Sequence, residues 1–400
     1  MFGVAVLGFG VVGSGVAEVL SENAEVAEKS AASPLKLKYI LDVRDFPGNP
    51  FEKLIVRDFA VIENDPEIRV VVETIGGVGV AQEFTRRALS AGKSVVTSNK
   101  ELVSKFGFEL LELAKAKGVN YLFEASVGGG IPILRPITQC LAANKILEVY
   151  GILNGTTNHI LTAMLKDGAS FDDALRDAQT RGYAEQNPSS DIDGTDACRK
   201  ICILADLAFG RHMNPDWVKT VGIRAVSADD ARFASAGGYK IKLLGRAVAR
   251  DGGKVAAYVA PHLVPGGNLL ASVDGVMNAI VVRGNAVGDV MFYGAGAGKL
   301  PTASAVVADV IDAVKHDAAR KWISWGEGDE SMMYDSAALV SRWYARVSAP
   351  EGSVKRVFPD AEILGGDTAE TGFIVAPQSK KSVEVSLGGF GVLSLFRVID

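Results

Sequence analysis

A glycine-rich turn between an apolar segment and a helical one constrains the fold of this chain more than any other feature. Residues 3–7 are apolar, as in a buried strand, and helical periodicity follows as far as Leu20. The candidate cofactor contacts in the turn are Gly8, Phe9, Gly10, Val11, Val12 and Gly13. Glycines in this setting let backbone N–H groups at a helix N-terminus approach a pyrophosphate. The pattern predicts a dinucleotide-binding site; the alternative is a glycine turn that binds no ligand.

The alternation of apolar strands and amphipathic helices continues to about residue 125. Five strands are predicted, over residues 3–7, 35–43, 68–74, 94–98 and 120–124. This alternation predicts a parallel sheet covered by helices, with a ligand at the carboxyl ends of its strands. The predicted class is α/β, with a Rossmann-type dinucleotide-binding domain in residues 1–130 that a helix within residues 300–320 completes.

The pattern changes in the middle of the chain. Helices are predicted at residues 131–143, 156–166, 171–181 and 194–209, and antiparallel strands between residues 239 and 293. This order of elements predicts an α+β domain over residues 131–300 that serves substrate binding and dimerisation.

A short acidic and glycine-rich segment at residues 326–330 predicts a linker before the last part of the chain. Strand patterns follow at residues 342–347, 371–376, 382–386 and 392–398. We therefore expect a small β-rich C-terminal domain over residues 335–400.

Composition excludes several classes of function. With 48% apolar and 22% charged residues, the chain is expected to form globular domains, and its formal net charge of −5 gives no reason to expect nucleic acid. Because no apolar stretch approaches the ~20 residues that span a bilayer, and no secretory pattern is present, a cytoplasmic location without a membrane partner is expected. Cys140, Cys198 and Cys202 are expected to be reduced, and the histidines lack the spacing of a zinc site.

Charged residues lie at the end of the second predicted strand. Asp42 and Arg44 lie where an acid usually accepts hydrogen bonds from ribose hydroxyls, or an arginine neutralises a 2′-phosphate. Arg44 favours NADP over NAD, and a solvated surface pair is the alternative.

Small hydroxyl and glycine residues converge with one lysine where the third and fourth predicted strands end. They are Thr74, Gly76, Thr97, Ser98 and Lys100. This edge of the sheet is expected to hold the nicotinamide ribose. Lys100 is either functional or an ordinary solvated lysine.

An unusually polar stretch, residues 178–200, leads into the predicted helix at 194–209 and includes its first residues. Asp196 and Lys200 are four residues apart, so they lie on one face of that helix. A carboxylate beside an ammonium suits a zwitterionic substrate. The alternative is a helix-surface ion pair, and spacing alone does not decide between them.

Several motifs in the same order resemble those of homoserine dehydrogenases. The resemblance covers roughly the first 320 residues and rests on residues 8–13, 97–100, 123–132, 151–158, 178–200 and 294–302. It implies reversible hydride transfer between L-homoserine and L-aspartate 4-semialdehyde with NAD or NADP, on the route to threonine and methionine.

The resemblance also implies roles for individual residues. It places Glu185 on the substrate, Lys200 on the substrate as the acid/base, and Lys100 close to the nicotinamide and the reacting oxygen. Asp191 and Asp196 are expected to be substrate-binding or orienting carboxylates. The resemblance implies cofactor contacts at Gly182 and Gly298. Two neighbouring lysines would lower each other's pKa, so the proton could be shared between them.

A monovalent cation, Na⁺ or K⁺, is a further implication of the resemblance. The ligands would be Glu124, Val127, Gly129 and Ile131, chiefly through backbone carbonyls. The alternative is a glycine-rich turn in which Glu124 caps neighbouring donors.

Family members often end in an ACT domain, through which threonine inhibits. This chain is expected to form a homodimer or homotetramer. Residues 342–352 resemble the opening of such a domain, but Glu351 is inserted in its turn and the rest of the chain is short. We expect a degenerate ACT-like tail, and threonine control is an open prediction. Two rival functions are a non-catalytic NAD(P)-binding amino-acid sensor and a dehydrogenase of another polar amino acid.

Overall fold

The computed structural model describes residues 2–321 and 323–399. The chain forms two compact units, each built from three separate segments. The first unit comprises Met1–Lys145, Cys202–Pro215 and Gly294–Gly328. The second comprises Ile146–Ile201, Asp216–Tyr293 and Asp329–Asp400. The predicted domain boundaries at residues 130, 300 and 335 stay predictions.

The α-helices of the described residues vary from one turn to five. They are α1 (Val11–Glu22), α2 (Ala24–Ala31), α3 (Phe59–Glu63), α4 (Gly79–Ser90), α5 (Lys100–Lys117), α6 (Gly155–Asp167), α7 (Phe171–Thr180), α8 (Ser189–Ile192), α9 (Thr195–Phe209), α10 (Ala228–Ala236), α11 (Lys299–Lys315), α12 (Glu351–Val357) and α13 (Lys380–Ser386). A short π-helix occupies Pro136–Cys140. Short 3₁₀ helices occupy Glu52–Leu54, Glu124–Ser126, Pro215–Trp217, Asp251–Gly253, Leu269–Ser272, Glu330–Met332 and Ser336–Ala338.

The first unit contains a six-stranded parallel sheet in the order β3-β2-β1-β4-β5-β6. Its strands are β1 (Phe2–Leu7), β2 (Leu35–Leu41), β3 (Ile55–Val56), β4 (Ile68–Glu73), β5 (Ser94–Thr97) and β6 (Tyr121–Leu122). The predicted α/β class and its Rossmann-type sheet are confirmed. The core is built from Val4 and Val6 of β1, Val16 of α1, and Val306 and Val310 of α11, all fully buried.

The second unit contains a ten-stranded mixed sheet. Nine strands follow the order β12-β11-β7-β9-β10-β16-β13-β15-β14, and β8 lies off this path and pairs with β10. The strands are β7 (Ile146–Ile152), β8 (Lys219–Thr220), β9 (Tyr239–Arg250), β10 (Lys254–Pro265), β11 (Met277–Gly284), β12 (Gly288–Ala295), β13 (Ser341–Val347), β14 (Glu362–Gly366), β15 (Thr371–Gln378) and β16 (Val392–Val398). The last four strands belong to the same sheet as β7–β12 because β16 pairs in parallel with β10.

Two sequence-based assignments of local structure are wrong. The strand predicted at residues 382–386 lies in helix α13, where the Ser379 side chain caps the first turn by accepting from the Ser382 N–H. The helix predicted over residues 131–143 is confined to residues 134–140, because Glu124 binds the backbone before it and a turn follows Cys140. No helix in the described ranges combines the length and the apolar character that crossing a membrane requires.

Candidate active site

The glycine turn in the first unit is closed by contacts that only glycine permits. Gly8 has a φ of 89°, and a Cβ at Gly13 would lie 1.9 Å from the Gly8 carbonyl oxygen. The Thr74 hydroxyl donates to the carbonyls of Leu7 and Gly8, at 2.9 Å each. Gly10, directly before α1, has open space on its Cβ side. The N-terminus of α1 is therefore accessible to an anionic group, as a pyrophosphate site requires.

Asp42 and Arg44 form a bidentate ion pair at the end of β2. The Arg44 Nε lies 3.0 Å from Asp42 Oδ1, and Nη2 lies 2.9 Å from Oδ2. The same carboxylate accepts the Phe9 N–H of the glycine turn at 2.7 Å. Hydrogen bonds from the Arg44 guanidinium hold the pKa of Asp42 well below its usual range. Arg44 remains largely exposed and lies over the Phe46 ring, so its guanidinium is within reach of solvent and of a ligand.

The carboxyl ends of β4 and β5 are adjacent, because the two strands pair in parallel with Glu73 opposite Thr97. Thr74 and Gly76 follow β4, Thr97 ends β5, and Ser98 and Lys100 follow it. Lys100 is half-buried and is the first residue of α5. The structure thus brings these five predicted residues to one edge of the sheet. The buried side chain of Glu73 lies at the same edge, and the sequence did not indicate it as a candidate.

The second unit gathers three of the predicted substrate residues around one asparagine. The Asn154 Nδ2 donates to Asp191 Oδ1 at 2.7 Å and to Asp196 Oδ2 at 2.9 Å. The Lys200 Nζ donates to Asp196 Oδ2 and to the Leu153 carbonyl, both at 2.7 Å. Asp196 and Lys200 are 4% and 8% exposed, so this pair is no ordinary surface ion pair.

Local chain geometry explains how these side chains meet. Asn154 ends the segment after β7 and caps α6, since its Oδ1 accepts the Thr157 N–H at 2.9 Å. Asp196 and Lys200 lie one turn apart on α9, as their spacing predicts. Burial, and the neighbouring charge of Asp196, raise the pKa of Asp191. The cluster therefore holds two close carboxylates and one ammonium in a largely buried setting.

Two predicted residues lie at the exposed border of this unit. Gly182 and Glu185 are exposed, in the segment between α7 and α8. The Gln179 side chain donates to the Glu185 carbonyl at 3.2 Å, which fixes the backbone there. No hydrogen bond between the Glu185 carboxylate and Asp191, Asp196 or Lys200 occurs in the part of the chain that the structure describes.

The Glu124 carboxylate binds backbone N–H groups in the first unit. It accepts from Ile133 at 2.6 Å, from Leu134 at 2.8 Å and from Arg135 at 2.8 Å. Its own N–H donates to the buried Asp309, which also bonds Arg135. This is the capping role that the sequence left open as an alternative to a cation ligand.

The backbone around Glu124 nonetheless offers oxygen ligands. Among the described residues, the carbonyls of Val127, Gly129 and Ile131 accept no hydrogen bond, although all three residues are buried. Gly129 has a φ of 57°, and a Cβ there would lie 2.5 Å from the Gly296 backbone. Carbonyl oxygens are the hard ligands that suit alkali cations. No group of three His, Cys, Asp or Glu side chains suited to a metal occurs among residues 2–321 and 323–399.

Asn154 is the functional candidate that sequence reasoning missed in the second unit. Its signal was its position before Gly155, Thr156 and Thr157, which is typical of a helix cap. A cap uses only the side-chain oxygen, and the sequence does not show what the amide nitrogen contacts. Gly298, with a φ of 124°, directly precedes α11, and its predicted role stays a prediction.

Two family models match this chain. The homoserine dehydrogenase model covers residues 132–311, and the model of the homoserine dehydrogenase NAD-binding domain covers residues 8–124. The matched ranges end before β13, so the ACT-like character of the tail stays a prediction.

Comparison with individual known proteins, by sequence and by structure, also identifies homoserine dehydrogenases as similar. A homoserine dehydrogenase of Neisseria gonorrhoeae is 43% identical over 321 residues, which span 77% of this chain and 71% of that protein. The crystal structure of a homoserine dehydrogenase from Thiobacillus denitrificans has a TM-score of 0.90 and 35% identity, and covers 100% of this chain and 98% of its own. An S. aureus homoserine dehydrogenase has a TM-score of 0.82 and 32% identity over 100% and 98% of the two chains. Together with the NAD-binding turn, these matches show that the chain belongs to the homoserine dehydrogenase family.

Proposed function

We propose that this chain oxidises L-homoserine to L-aspartate 4-semialdehyde, and catalyses the reverse reduction, at the buried cluster of Asn154, Asp191, Asp196 and Lys200. The observation that carries the proposal is the Lys200 ammonium, held between Asp196 and a backbone carbonyl in a family whose reaction needs a proton donor and acceptor. NAD(P) supplies the hydride acceptor in one direction and the hydride donor in the other.

Lys200 is assigned the proton transfer. In oxidation, the neutral amine would take the proton of the C4 hydroxyl as hydride leaves C4; in reduction, the ammonium would return a proton to the aldehyde oxygen. Asp196 and the Leu153 carbonyl restrict the Nζ to one position, which favours transfer along one direction. Lys100 is the second candidate for this role.

The carboxylates are assigned to the substrate ammonium. Asp191 and Asp196 present negative charge in a largely buried setting, and Asn154 fixes both by donating to each. An ammonium is attracted more strongly there than in water because the local dielectric constant is low. Glu185, at the exposed border, is assigned a further contact to the same substrate.

NADP is the proposed cofactor, because Arg44 is exposed beside Asp42 at the end of β2. The Arg44→Ala variant should lower kcat/KM for NADP far more than for NAD, since only NADP carries the 2′-phosphate. Arg69→Ala is the control: this arginine of the same unit bonds Asp317 and lies at the amino end of β4. Equal losses with the two cofactors would contradict the assignment.

A monovalent cation is proposed at the carbonyls of Val127, Gly129 and Ile131, with Glu124 beside it. The unbonded carbonyls support this site. The Glu124 carboxylate already accepts three backbone N–H groups, which limits that side chain to a minor share of the cation's coordination. Activity should rise when Na⁺ or K⁺ replaces tetramethylammonium at constant ionic strength. Indifference to both ions would reject the site.

The experiment that tests the function is an assay of reduced cofactor by absorbance, with L-homoserine and NADP or NAD. Turnover that saturates with homoserine is expected. A chain that binds cofactor without turnover would be a sensor, and turnover only with another polar amino acid would indicate a different dehydrogenase. Light scattering tests the proposed homodimer or homotetramer, and addition of threonine to the assay tests control through the tail.

A further inference from the structure

Glu73 is a carboxylate at the carboxyl end of strand β4, directly after a run of three valines. The residues before it, Val70, Val71 and Val72, are buried, and Glu73 itself is 0% exposed. Burying an ionisable group is costly unless hydrogen bonds compensate for the lost water. A buried carboxylate at the ligand-binding edge of a sheet therefore calls for a specific reason.

Three donors converge on this carboxylate. Oε1 accepts the N–H of Ile75 at 2.8 Å and of Gly76 at 3.3 Å. Oε2 accepts the Thr97 hydroxyl at 2.6 Å. Burial raises the pKa of Glu73, and these donors oppose that rise.

A second connection joins the same two loops. The Asn99 Nδ2 donates to the Gly77 carbonyl at 2.6 Å. The Asn99 N–H donates to the Thr97 oxygen at 2.9 Å, and its Oδ1 caps α5 by accepting the Leu102 N–H. The loop after β4 is thus tied to the loop after β5 at both ends of the turn 75–77.

The opposite side of this turn is open. Residues 75–77 are exposed. A Cβ on Gly76 or Gly77 would meet no atom within 4 Å, and both glycines have positive φ, 83° and 66°. The turn is fixed from the protein side and presented to solvent at the edge where a dinucleotide binds.

We propose that Glu73 is a positioning residue for the cofactor, which acts together with Asn99 by holding the turn 75–77 in the conformation that receives the nicotinamide half of NAD(P). This inference rests on the proposed function only for the identity of the ligand. It assigns Glu73 no contact with the reacting atoms.

The test is fluorescence titration of NADPH into the full chain without homoserine, followed by steady-state kinetics. Glu73→Met, which has similar length and no acceptor, should raise the NADPH Kd about tenfold, the scale of losing buried hydrogen bonds. Its kcat at saturating cofactor should stay within about twofold. Glu73→Gln should raise the Kd less, because its amide oxygen can still accept from Ile75 and Gly76.

Two further variants separate positioning from general destabilisation. Asn99→Ser keeps a helix cap but loses the bond to Gly77, and should raise the Kd even if Glu73→Met does not fold. Asp206→Asn alters another buried carboxylate of this unit, which binds the Met213 N–H at 2.6 Å, and should leave the Kd unchanged.

The inference is overturned if Asn99→Ser binds NADPH like the wild type, if a folded Glu73→Met does so, or if Asp206→Asn weakens binding equally. A fall in kcat with an unchanged Kd would also reject it. If the wild type binds NADPH but does not oxidise homoserine, the proposed function fails while the Kd comparison still decides the role of Glu73.

Discussion

At the scale of single residues, the main question is whether Lys200 transfers a proton or only balances charge. Replacing Lys200 by Ala should lower kcat about 10²- to 10⁴-fold, the usual contribution of acid/base catalysis. Lys380→Ala is a matched control, because Lys380 also pairs with an acid four residues away, Glu384, but on the surface. That control should retain wild-type turnover. If the Lys200 variant keeps near-full kcat, Lys100 becomes the leading candidate for the proton transfer.

The residue scale also shows what a sequence can and cannot predict about a site. The contact between Asp196 and Lys200 was predictable, because a helix brings residues four apart together. Their burial was not, since it depends on packing from elements distant in sequence. The bonds from Asn154 to Asp191 and Asp196 span 37 and 42 residues. No local pattern specifies such pairs.

At the scale of elements, the start of α9 determines where Asp196 and Lys200 lie. Gly194 directly precedes this helix with a φ of 85°, and a Cβ there would lie 3.0 Å from the Thr220 Cγ2 and 3.3 Å from a Val259 methyl. Gly194→Ala should cost about 1–2 kcal/mol of unfolding free energy through backbone strain. Crowding should also shift the helix start and lower kcat/KM for homoserine.

The other end of α9 supplies the control for this prediction. Gly210 has a similar φ of 74°, but a Cβ there would meet nothing within 4 Å. Gly210→Ala should therefore show a similar loss of stability in urea unfolding with wild-type kinetics. Equal kinetic losses in the two variants would mean that strain alone, and not crowding at Gly194, disturbs the site.

A buried histidine on strand β10 leads to a prediction about how the stability of the protein depends on pH. His262 on this strand is fully buried, and burial, with the nearby Arg246 charge second, lowers its pKa from 6.5 to about 3. The unfolded imidazole takes up a proton below pH 6.5, whereas the folded one stays neutral down to about pH 3. Stability from this group is therefore present above pH 6.5 and is lost as the pH falls, by about 2 kcal/mol at pH 5.

Urea unfolding at pH 7 and pH 5 tests whether the unfolding free energy falls as the pH falls. The wild type should lose more stability between the two pH values than His262→Gln, whose side chain does not titrate. Subtracting the stability loss of the variant from that of the wild type removes the contributions of all other titrating groups. The same loss in both proteins would show that His262 is already protonated in the folded state at pH 5.

Elements were predictable from sequence where burial follows a regular period. The strands β1, β2, β4 and β5 lie within two residues of their predicted limits, because apolar runs between glycines and polar residues define them. The strand prediction for residues 382–386 is wrong because Val383 and Val385 alternate with polar residues, a pattern that is typical of a strand. In α13 only Val383 is buried, and Val385 is 74% exposed. The cap at Ser379, rather than the alternation, decides the local structure.

At the scale of the whole molecule, the path of the chain couples the two units. The chain passes from one unit to the other after residues 145, 201, 215, 293 and 328, and neither unit is a continuous segment. Helix α9 itself contributes residues to both, since its first half belongs to the second unit and its second half to the first. A unit assembled in this way cannot complete its core until distant parts of the chain have folded.

Cooperative unfolding is the expected consequence of this arrangement. When one unit unfolds, α9 loses packing along half of its length, and every crossing segment of the other unit loses an anchor. Calorimetry should therefore show one transition, with equal calorimetric and van't Hoff enthalpies, because no state with a single folded unit is populated. If the chain binds NADPH as proposed, this cofactor should move the whole transition upward in temperature, because a ligand that binds only the folded state stabilises it. Two resolved transitions, of which NADPH shifts only one, would show instead that the six-stranded sheet keeps its fold after the ten-stranded sheet has melted.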